Sequence, residues 1–266
     1  MKVATVQFRD YASSVAEALD AVGAAEVLSA QSKIILKPNL INDSPPPVTT
    51  PVNCVEAVVD YCRTIADAEI VVAEGCGELD TDKAFAKLGY EELSSRKGVQ
   101  LVDLDREDTV DLHNPSLGYL PEFHMPRAMT SGFLISIPVL KAHSMAKVTL
   151  SLKNMVGIAP ARHYCASAYR KSALHGRNNR ELHRYIVELN QYRKPDLTVL
   201  DATVGMAEAH LWGRRCKPPV NRILASFDPV AIDAAGAGLL GFDWRKIDHI
   251  RLADGVLGHV HAAAPS

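Results

Sequence analysis

The sequence is poor in cysteine, which limits the cofactors that the chain can hold by itself. Its five cysteines are widely spread, and no two of them form a C-x-x-C pair. The cysteine ligands of zinc sites and iron–sulfur clusters usually lie close together in sequence. The chain therefore has no iron–sulfur cluster motif, and the odd cysteine count argues against a disulfide framework. We expect buried or partly buried free thiols.

Long apolar runs are also missing. The longest run falls well short of the ~20 residues that a membrane-spanning helix needs. The first ten residues, MKVATVQFRD, contain too short an apolar core for a signal peptide. With 47% hydrophobic and 23% charged residues, the composition is that of an ordinary globular protein. We therefore expect a cytoplasmic protein with no membrane contact.

Several common active-site motifs are absent. Without G-x-S-x-G a serine hydrolase is disfavoured, and without G-x-G-x-x-G or a P-loop the usual local signs of a nucleotide site are missing. No H-E-x-x-H box occurs, although metal ligands scattered over strand ends would leave no local trace. Only 6% of the residues are aromatic and the net charge is −2, which argues against a nucleic-acid-binding protein.

What the sequence does contain is a regular alternation of short β-branched runs with longer helical patterns. This alternation predicts an α/β fold with a mostly parallel sheet and helices on both faces. The predicted strands lie at about 33–36, 69–73, 99–104, 132–140, 148–154, 196–203 and 221–228. The predicted helices lie at about 12–23, 51–65, 81–89, 178–192, 229–240 and 245–254, and Thr50 is the expected N-cap of the second. We expect a single α/β domain over 1–266, with 141–184 as a basic, loop-rich lobe or lid.

Polar residues follow five of the predicted strands. Ligands of open α/β sheets bind at the carboxyl ends of the strands, so residues at these ends are candidates for one shared site. They are Lys37 and Asn39, Glu74, Lys141 and His143, Asp201, and Asp228. Asp228 has an alternative role as a helix N-cap, because Pro229 follows it at the start of a helical pattern.

Positive charge is concentrated in one segment. Residues 141–184 contain nine Lys or Arg and one acid, Glu181, whereas the whole chain has a net charge of −2. Such a concentration attracts anions. The candidates are a small carboxylate or phosphate, a nucleotide, or nucleic acid, and the structural alternative is a solvated basic face paired with acidic neighbours.

Four strings, LKPNLIN with a following TTP, VLKAHSMAKVTLSLKNMVG, LTVLDATVGM and ASFDPVAIDAAGAGLLG, resemble the DUF362 family, a domain of unknown function, over about residues 33 to 258. Members are often associated with ferredoxin-type iron–sulfur modules, so the resemblance implies redox chemistry with an external redox partner. The layout is also distantly similar to the N-terminal domain of nickel-dependent lactate racemases. The positions that match the family's motifs are Lys37, Asn39, Glu74, Lys141, His143, Thr149, Lys153, Asn154, Gly157, Asp201, Asp228 and Asp233.

The leading hypothesis is an enzyme that binds a small anionic substrate at the carboxyl edge of the sheet. The predicted catalytic residues are Lys141, His143 and Lys153, with His143 as the proton-transfer group and a lysine of lowered pKa as base or nucleophile. The predicted substrate-binding residues are Lys37, Asn39, Asn154, Arg162, His163 and His175, supported by Glu74, Asp201 and Asp228. Oxidoreductase or lyase-type chemistry is favoured over hydrolysis by a serine.

Two other functions stay open at this point. In the first, His143, His163 and His175 bind a divalent metal such as iron, nickel or zinc together with carboxylates, and the protein is a redox protein. In the second, the basic segment binds nucleic acid, which would require affinity that falls steeply with salt. The sequence leaves the oligomeric state open.

Overall fold

The computed structural model describes residues 2–167 and 170–260, and the elements below belong to these ranges. The strands are β1 (Ala4–Gln7), β2 (Lys33–Pro38), β3 (Glu69–Glu74), β4 (Gln100–Asp103), β5 (Thr109–His113), β6 (Glu122–Pro126), β7 (Phe133–Ile137), β8 (Val139–His143), β9 (Lys147–Thr149), β10 (Leu197–Met206) and β11 (Arg222–Ser226). The helices are α1 (Tyr11–Ala21), α2 (Ala24–Leu28), α3 (Val52–Ile65), α4 (Thr81–Lys87), α5 (Tyr90–Lys97), α6 (Ser151–Asn154), α7 (Ala161–Tyr164), α8 (Asn179–Tyr192), α9 (Pro229–Leu239) and α10 (Asp248–Ala253). None of the helices in these ranges has the length and apolar character that crossing a bilayer requires.

The main sheet is mostly parallel. Its strand order is β1-β11-β10-β7-β2-β3-β4, and the five strands from β10 to β4 run parallel to one another. At one side β11 runs antiparallel to β10, and β1 antiparallel to β11. After Pro138, β8 pairs with the second half of β10, and β9 folds back on β8. The predicted α/β class is confirmed, and β5 and β6 form a separate hairpin that the sequence did not predict.

Alternate side chains of the central strands enter two hydrophobic cores on opposite faces of the sheet. In β2, Ile34 and Leu36 belong to the core that contains α1 and α3. Ile35, between them, belongs to the core that contains α6, α8, α9 and α10. A strand that is buried on both faces needs apolar residues at every position, which explains the nearly continuous apolar runs of the central strands.

The alternating segment 148–154 is not one strand as predicted. β9 ends at Thr149, and α6 follows because the buried carboxylate of Asp233 accepts the N–H groups of Ser151 (2.7 Å) and Leu152 (3.1 Å). These N–H groups at the start of a helix have no partner within the helix itself. The residue that turns the chain away from the strand is 82 positions distant from Ser151, so no local pattern shows it.

The start of α3 also differs from the prediction. Pro51, not Thr50, occupies the N-cap position. The Thr50 hydroxyl instead donates to the carbonyl of Ile137 (2.7 Å) and accepts the N–H of Asn39 (2.8 Å). It therefore fixes the loop after β2 against the end of β7, at the carboxyl edge of the sheet.

The basic segment 141–184 lies at this same edge. Its described residues form β8, β9, α6, α7, two 3-10 turns and the first part of α8. Several of them share a cavity with the residues that follow β2 and β3. The division of the whole chain into one domain with a lid or lobe stays a prediction.

Candidate functional site

A cavity of about 530 Å³ opens at the carboxyl ends of β2, β3 and β8. Its volume is within the ~300–1,000 Å³ range of small-molecule sites. Eight of the twelve residues that the sequence assigned to a site line this cavity: Lys37, Asn39, Glu74, Lys141, His143, Lys153, Asn154 and His175. The strand-end pattern therefore brought together residues that do share one cavity, and their roles in binding or catalysis stay predictions.

Basic side chains outnumber acidic ones around the cavity. The basic residues that line it are Lys37, Lys141, Lys153, Arg170 and Lys171, and the acidic residues are Glu74 and Glu78. Of the nine Lys and Arg in 141–184, four are in this lining. The basic segment is thus not a single charged face, and only part of its charge lines the cavity.

Lys37 and Glu74 form a buried ion pair that joins the ends of β2 and β3. Nζ lies 2.7 Å from Oε1, and both side chains are at most 2% exposed. Lys37 also donates to the Pro38 carbonyl at 3.1 Å. Glu74 accepts the N–H groups of Leu40 (3.0 Å) and Gly75 (2.9 Å). Because the carboxylate is engaged on both oxygens, this pair organises the two strand ends.

Gly157 makes room for the ion pair. A Cβ atom at this position would lie 2.6 Å from Lys37 Nζ and would also clash with Glu74 Oε1. Heavy atoms at that separation overlap, so any larger residue would push the 3-10 turn Met155–Ile158 away from the pair. The glycine in this motif is therefore explained by close packing against a buried ion pair.

Asn154 fixes α6 to the strand ends. Its Nδ2 group donates to the Lys37 carbonyl (3.1 Å) and to Ser136 Oγ (3.0 Å). Its Oδ1 atom accepts from Asn39 Nδ2 (3.0 Å). These bonds occupy the amide of Asn154 and leave Asn39 Oδ1 as one of the buried oxygens without a partner in the described residues.

Lys171 is a buried lysine whose hydrogen bonds are complete. Its Nζ donates to the carbonyls of Gly157 (2.9 Å) and Ala159 (2.7 Å) and lies 3.2 Å from Asp105 Oδ1. Burial lowers the pKa of Lys171, and the Asp105 carboxylate opposes that shift. With three oxygen acceptors for its three N–H groups, Lys171 serves to hold its loop in place.

Lys141 and Lys153 differ from the other buried lysines, because neither has an acidic partner among the described residues. Lys141 donates one hydrogen bond, to the Val48 carbonyl (2.7 Å), and Lys153 makes none with the described chain. Burial, reinforced by the charge of Lys153, lowers the pKa of Lys141 to about 7. Burial alone lowers the pKa of Lys153 to about 8. Desolvated ammonium groups that form no ion pair with the described residues are unfavourable, and an anion in the cavity would relieve both.

His143 is neutral and its tautomer is fixed by the backbone. Its Nδ1 atom accepts the N–H groups of Met145 and Ala146, both at 3.1 Å. Because these groups can only donate, the proton of His143 is on Nε2. Burial, together with the nearby charge of Lys153, lowers the pKa of His143 far below its ordinary value. This arrangement does not fit the predicted proton-transfer role, and it makes Nε2–H a hydrogen-bond donor.

His210 is a cavity residue that the sequence did not reveal. It lies in the loop after β10, and its ring stacks on His143 with centroids 3.8 Å apart and an angle of 7° between the rings. Burial lowers the pKa of His210 to about 3, so this ring is also neutral near pH 7. The surrounding string AEAHLWG carries no motif, and the only sequence signal was a histidine a few residues after a strand.

Polar atoms without partners complete the cavity. Within the described chain, His210 Nδ1, Asn39 Oδ1 and Thr149 Oγ1 are buried and make no hydrogen bond. Thr149 stands opposite Lys141 in the pairing of β8 with β9. Buried polar atoms are normally hydrogen-bonded, so these three atoms are exceptions among the residues that line the cavity.

Two predicted substrate-binding residues, Arg162 and His163, lie outside the cavity lining. Both are in α7 and are exposed. The Arg162 guanidinium donates to the carbonyls of Asp105 (2.8 Å) and Glu107. The His163 ring stacks on His124 of the hairpin, with centroids 4.0 Å apart. The sequence placed them in the site by charge alone, and their contacts direct them elsewhere.

Asp201 also lies outside the cavity, because β10 does not end where the sequence predicted. The strand continues to Met206, so Asp201 is in its middle. The buried carboxylate accepts from the Tyr11 hydroxyl (2.9 Å) and the Thr203 N–H (2.8 Å). It faces a separate cavity of about 180 Å³.

Asp228 lies at the opposite edge of the sheet. Because β11 runs antiparallel to β10, its carboxyl end pairs with the beginning of β10, where Ser226 stands opposite Thr198. The Asp228 carboxylate caps α9 by accepting the N–H groups of Val230 (2.9 Å) and Ala231 (3.0 Å). The N-cap alternative therefore describes this residue.

We expect Asp228→Ala to lower the free energy of unfolding by about 1–2 kcal/mol, the usual effect of removing an N-cap. Urea denaturation measures this change. Because the residue is far from the cavity, affinity for an anion such as oxalate is expected to stay unchanged. A loss of anion affinity in a folded Asp228→Ala protein would contradict the placement of this residue.

The metal ligands proposed from the sequence do not form one group. His143 and His175 line the cavity, whereas His163 does not. Among the described residues, one set of three His, Cys, Asp or Glu ligand atoms lies within 4.8 Å of one another, namely Asp80, Asp82 and Asp103, and all three carboxylates pair with Arg106. Cys54, Cys62 and Cys76 are buried, whereas Cys165 is exposed and Cys216 half-buried, so the cysteines do not fit a four-cysteine iron–sulfur cluster.

Comparison with known proteins gives one family. None of the curated proteins matches the chain. The family described as "Domain of unknown function (DUF362)" matches residues 34–238, about three quarters of the chain, and this range contains all eight cavity residues that the sequence predicted. The chain belongs to the DUF362 family.

Proposed function

We propose that this protein is an enzyme that acts on a small anionic molecule, a carboxylate or a phosphate, bound between Lys141 and Lys153. The observation that supports the proposal most strongly is the pair of buried lysines, which face the cavity without an acidic partner among the described residues. A chain that needed these lysines only for stability would pair them, as it pairs Lys37 and Lys171.

The side chains that line the cavity have different chemical roles. Lys153 carries the positive charge that holds the anion, since its pKa is the higher of the two. Lys141 is the base or nucleophile, because a pKa of about 7 leaves much of its amine neutral at physiological pH. His143 donates a hydrogen bond from Nε2 to an oxygen of the substrate.

Lyase-type or oxidoreductase chemistry is compatible with this set of groups. Redox chemistry with an external partner and a cytoplasmic location remain proposals that rest on the family resemblance and on the composition. Nucleic acid is the weakest candidate, because Lys141 and Lys153, the basic groups with lowered pKa values on which the proposal rests, are buried in a cavity and do not lie on a surface.

Calorimetric titration with oxalate and with inorganic phosphate at pH 8 tests the proposal. We expect net proton uptake on binding, measured by repeating the titration in buffers of different ionisation enthalpy, because an anion favours the charged form of both lysines. Affinity should therefore fall as the pH rises from 7 to 9. Lys153→Met should weaken binding at least about tenfold, equivalent to about 1.4 kcal/mol.

Arg162→Met is the matched control. It removes a predicted anion ligand that lies outside the cavity lining, so affinity should not change. Binding that involves no proton uptake, or that depends on Arg162 and not on Lys153, would contradict the proposed site.

A further inference from the structure

We propose that Lys141 forms an imine with the carbonyl carbon of a small oxo acid whose carboxylate is held by Lys153. The inference rests on the proposed function and narrows it, from anions in general to carboxylates that carry a ketone or aldehyde group. It assigns Lys141 as a nucleophile and Lys153 as the group that binds the substrate.

The hydrogen bonds of Lys141 suit an uncharged amine. The side chain is 1% exposed, and among the described residues its Nζ has one hydrogen-bond partner, the Val48 carbonyl at 2.7 Å. A buried ammonium has three donors to satisfy, and Lys37 and Lys171 each have three oxygen acceptors nearby. A neutral amine that donates one N–H to a carbonyl keeps its lone pair for attack on a substrate.

Lys141 and Lys153 also differ in protonation state near neutral pH, as imine formation requires. The charge of Lys153 lowers the pKa of Lys141, so protonating one disfavours protonating the other. Lys141 is the more deeply buried of the two, 1% exposed against 9% for Lys153, so the first proton goes to Lys153. Near neutral pH the cavity therefore presents an ammonium for the carboxylate beside an amine for the carbonyl group.

The proposed step balances without an added reagent. The Lys141 nitrogen attacks the carbonyl carbon, a C–N bond forms, and the carbonyl oxygen becomes a hydroxyl. Nε2–H of His143, two residues along β8, donates a hydrogen bond to that oxygen as negative charge develops on it. The oxygen then leaves as water with the two hydrogens of the amine, and a C=N bond remains. The neutral imine nitrogen then takes a proton from solvent, and the resulting iminium ion withdraws electrons from bonds at the adjacent carbon, as a lyase requires.

The remaining lining favours an oxo acid with an apolar part. Ile41, Met145 and Val156 contribute apolar side chains to the same cavity, which at about 530 Å³ is larger than a carboxylate and carbonyl group require. We therefore expect a branched oxo acid to react better than pyruvate.

Reduction with borohydride tests the imine, because it converts the C=N bond into a stable secondary amine. The full chain is incubated at pH 7.5 with pyruvate or with 4-methyl-2-oxopentanoate, reduced, and examined by intact mass and by peptide mapping. We expect one adduct for each chain, located on Lys141, and no adduct with lactate, which lacks the carbonyl group. The rate of adduct formation should rise through pH 7, whereas ordinary surface lysines react only near their pKa of about 10.4.

Two variants separate the roles. Lys141→Arg should abolish the adduct, and Lys153→Met should reduce the rate with pyruvate by at least about tenfold while the rate with butanone, which has no carboxylate, falls much less. Adducts spread over surface lysines, or no adduct on Lys141 with either oxo acid, would overturn the imine proposal. If oxalate binding with proton uptake persists in that case, the proposed anion site still stands. If oxalate binding is absent too, both proposals fail.

Discussion

Glu74→Gln is expected to destabilise the protein by about 3–5 kcal/mol, because it leaves the charge of Lys37 buried without its partner. Lys37 is completely buried, and its Nζ lies 2.7 Å from Glu74 Oε1. The amide also has one acceptor oxygen where the carboxylate had two, so Leu40 N–H or Lys37 would face an N–H₂ group. Urea or thermal denaturation measures the loss.

Glu78→Gln is the matched control, since Glu78 lines the same cavity but is exposed. Its effect should be within about 0.5 kcal/mol. The double variant Lys37→Met/Glu74→Gln should recover part of the lost stability, because it removes the unpaired charge. A Glu74→Gln protein as stable as the Glu78→Gln protein would show that this ion pair does not organise the strand ends.

The strand-end rule selected residues that share one cavity where the strands that carry them run parallel to a neighbour. β2 and β3 are parallel to both neighbours and β8 is parallel to β10, so Lys37, Glu74 and Lys141 meet at one edge. The rule was wrong for Asp228, because the direction of β11 depends on pairing with β10 and is not visible in its own sequence. It was wrong for Asp201, because the extra length of β10 beyond that residue is set by its pairing with β8.

The sequence alone could not show which of the basic residues belong to the cavity and which have structural roles. Lys141, Lys153, Arg162 and Lys171 look alike as members of one charged segment. Their roles separate only in three dimensions: Lys171 meets three oxygen acceptors, Arg162 binds surface carbonyls, and the other two meet no acid in the described chain. Contacts between distant segments decide the charge state of a buried lysine, and a local pattern does not contain them.

His210 is another residue whose place in the cavity could not be predicted from the sequence. No periodicity or motif surrounds it, and its position depends on how the loop after β10 folds back, with Ala207 N–H donating to the Arg214 carbonyl at 2.8 Å. That turn places the imidazole against His143. A single histidine in a loop has many more ordinary roles than functional ones, so the sequence alone had no reason to select it.

Lys153→Met is expected to raise the stability of the protein at pH 7 while it weakens anion binding. The folded-state pKa of Lys153 is about 8, below its ordinary value of 10.5, so folding at pH 7 requires a charged amine to be buried. A difference of this size corresponds to about 3 kcal/mol. The sign follows from proton binding: between pH 8 and 10.5 the unfolded chain binds more protons than the folded one, so the cost is fully present below pH 8 and fades as the pH rises. Methionine fills a similar volume without a charge, so the variant should gain up to about 3 kcal/mol at pH 7, and the gain should shrink to less than about 1 kcal/mol at pH 10.

Lys171→Met provides the contrast that makes the result interpretable. Lys171 is also buried and lines the same cavity, but its ammonium donates to Asp105 and two carbonyls, so its removal should destabilise the protein by about 3 kcal/mol at pH 7. Opposite signs for these two substitutions, measured by urea denaturation at pH 7 and pH 10, would identify Lys153 as a residue kept for binding at the expense of stability. If Lys153→Met destabilises the protein as much as Lys171→Met does, then Lys153 has a structural partner in the folded protein, and the cavity loses the unpaired charge on which anion binding depends.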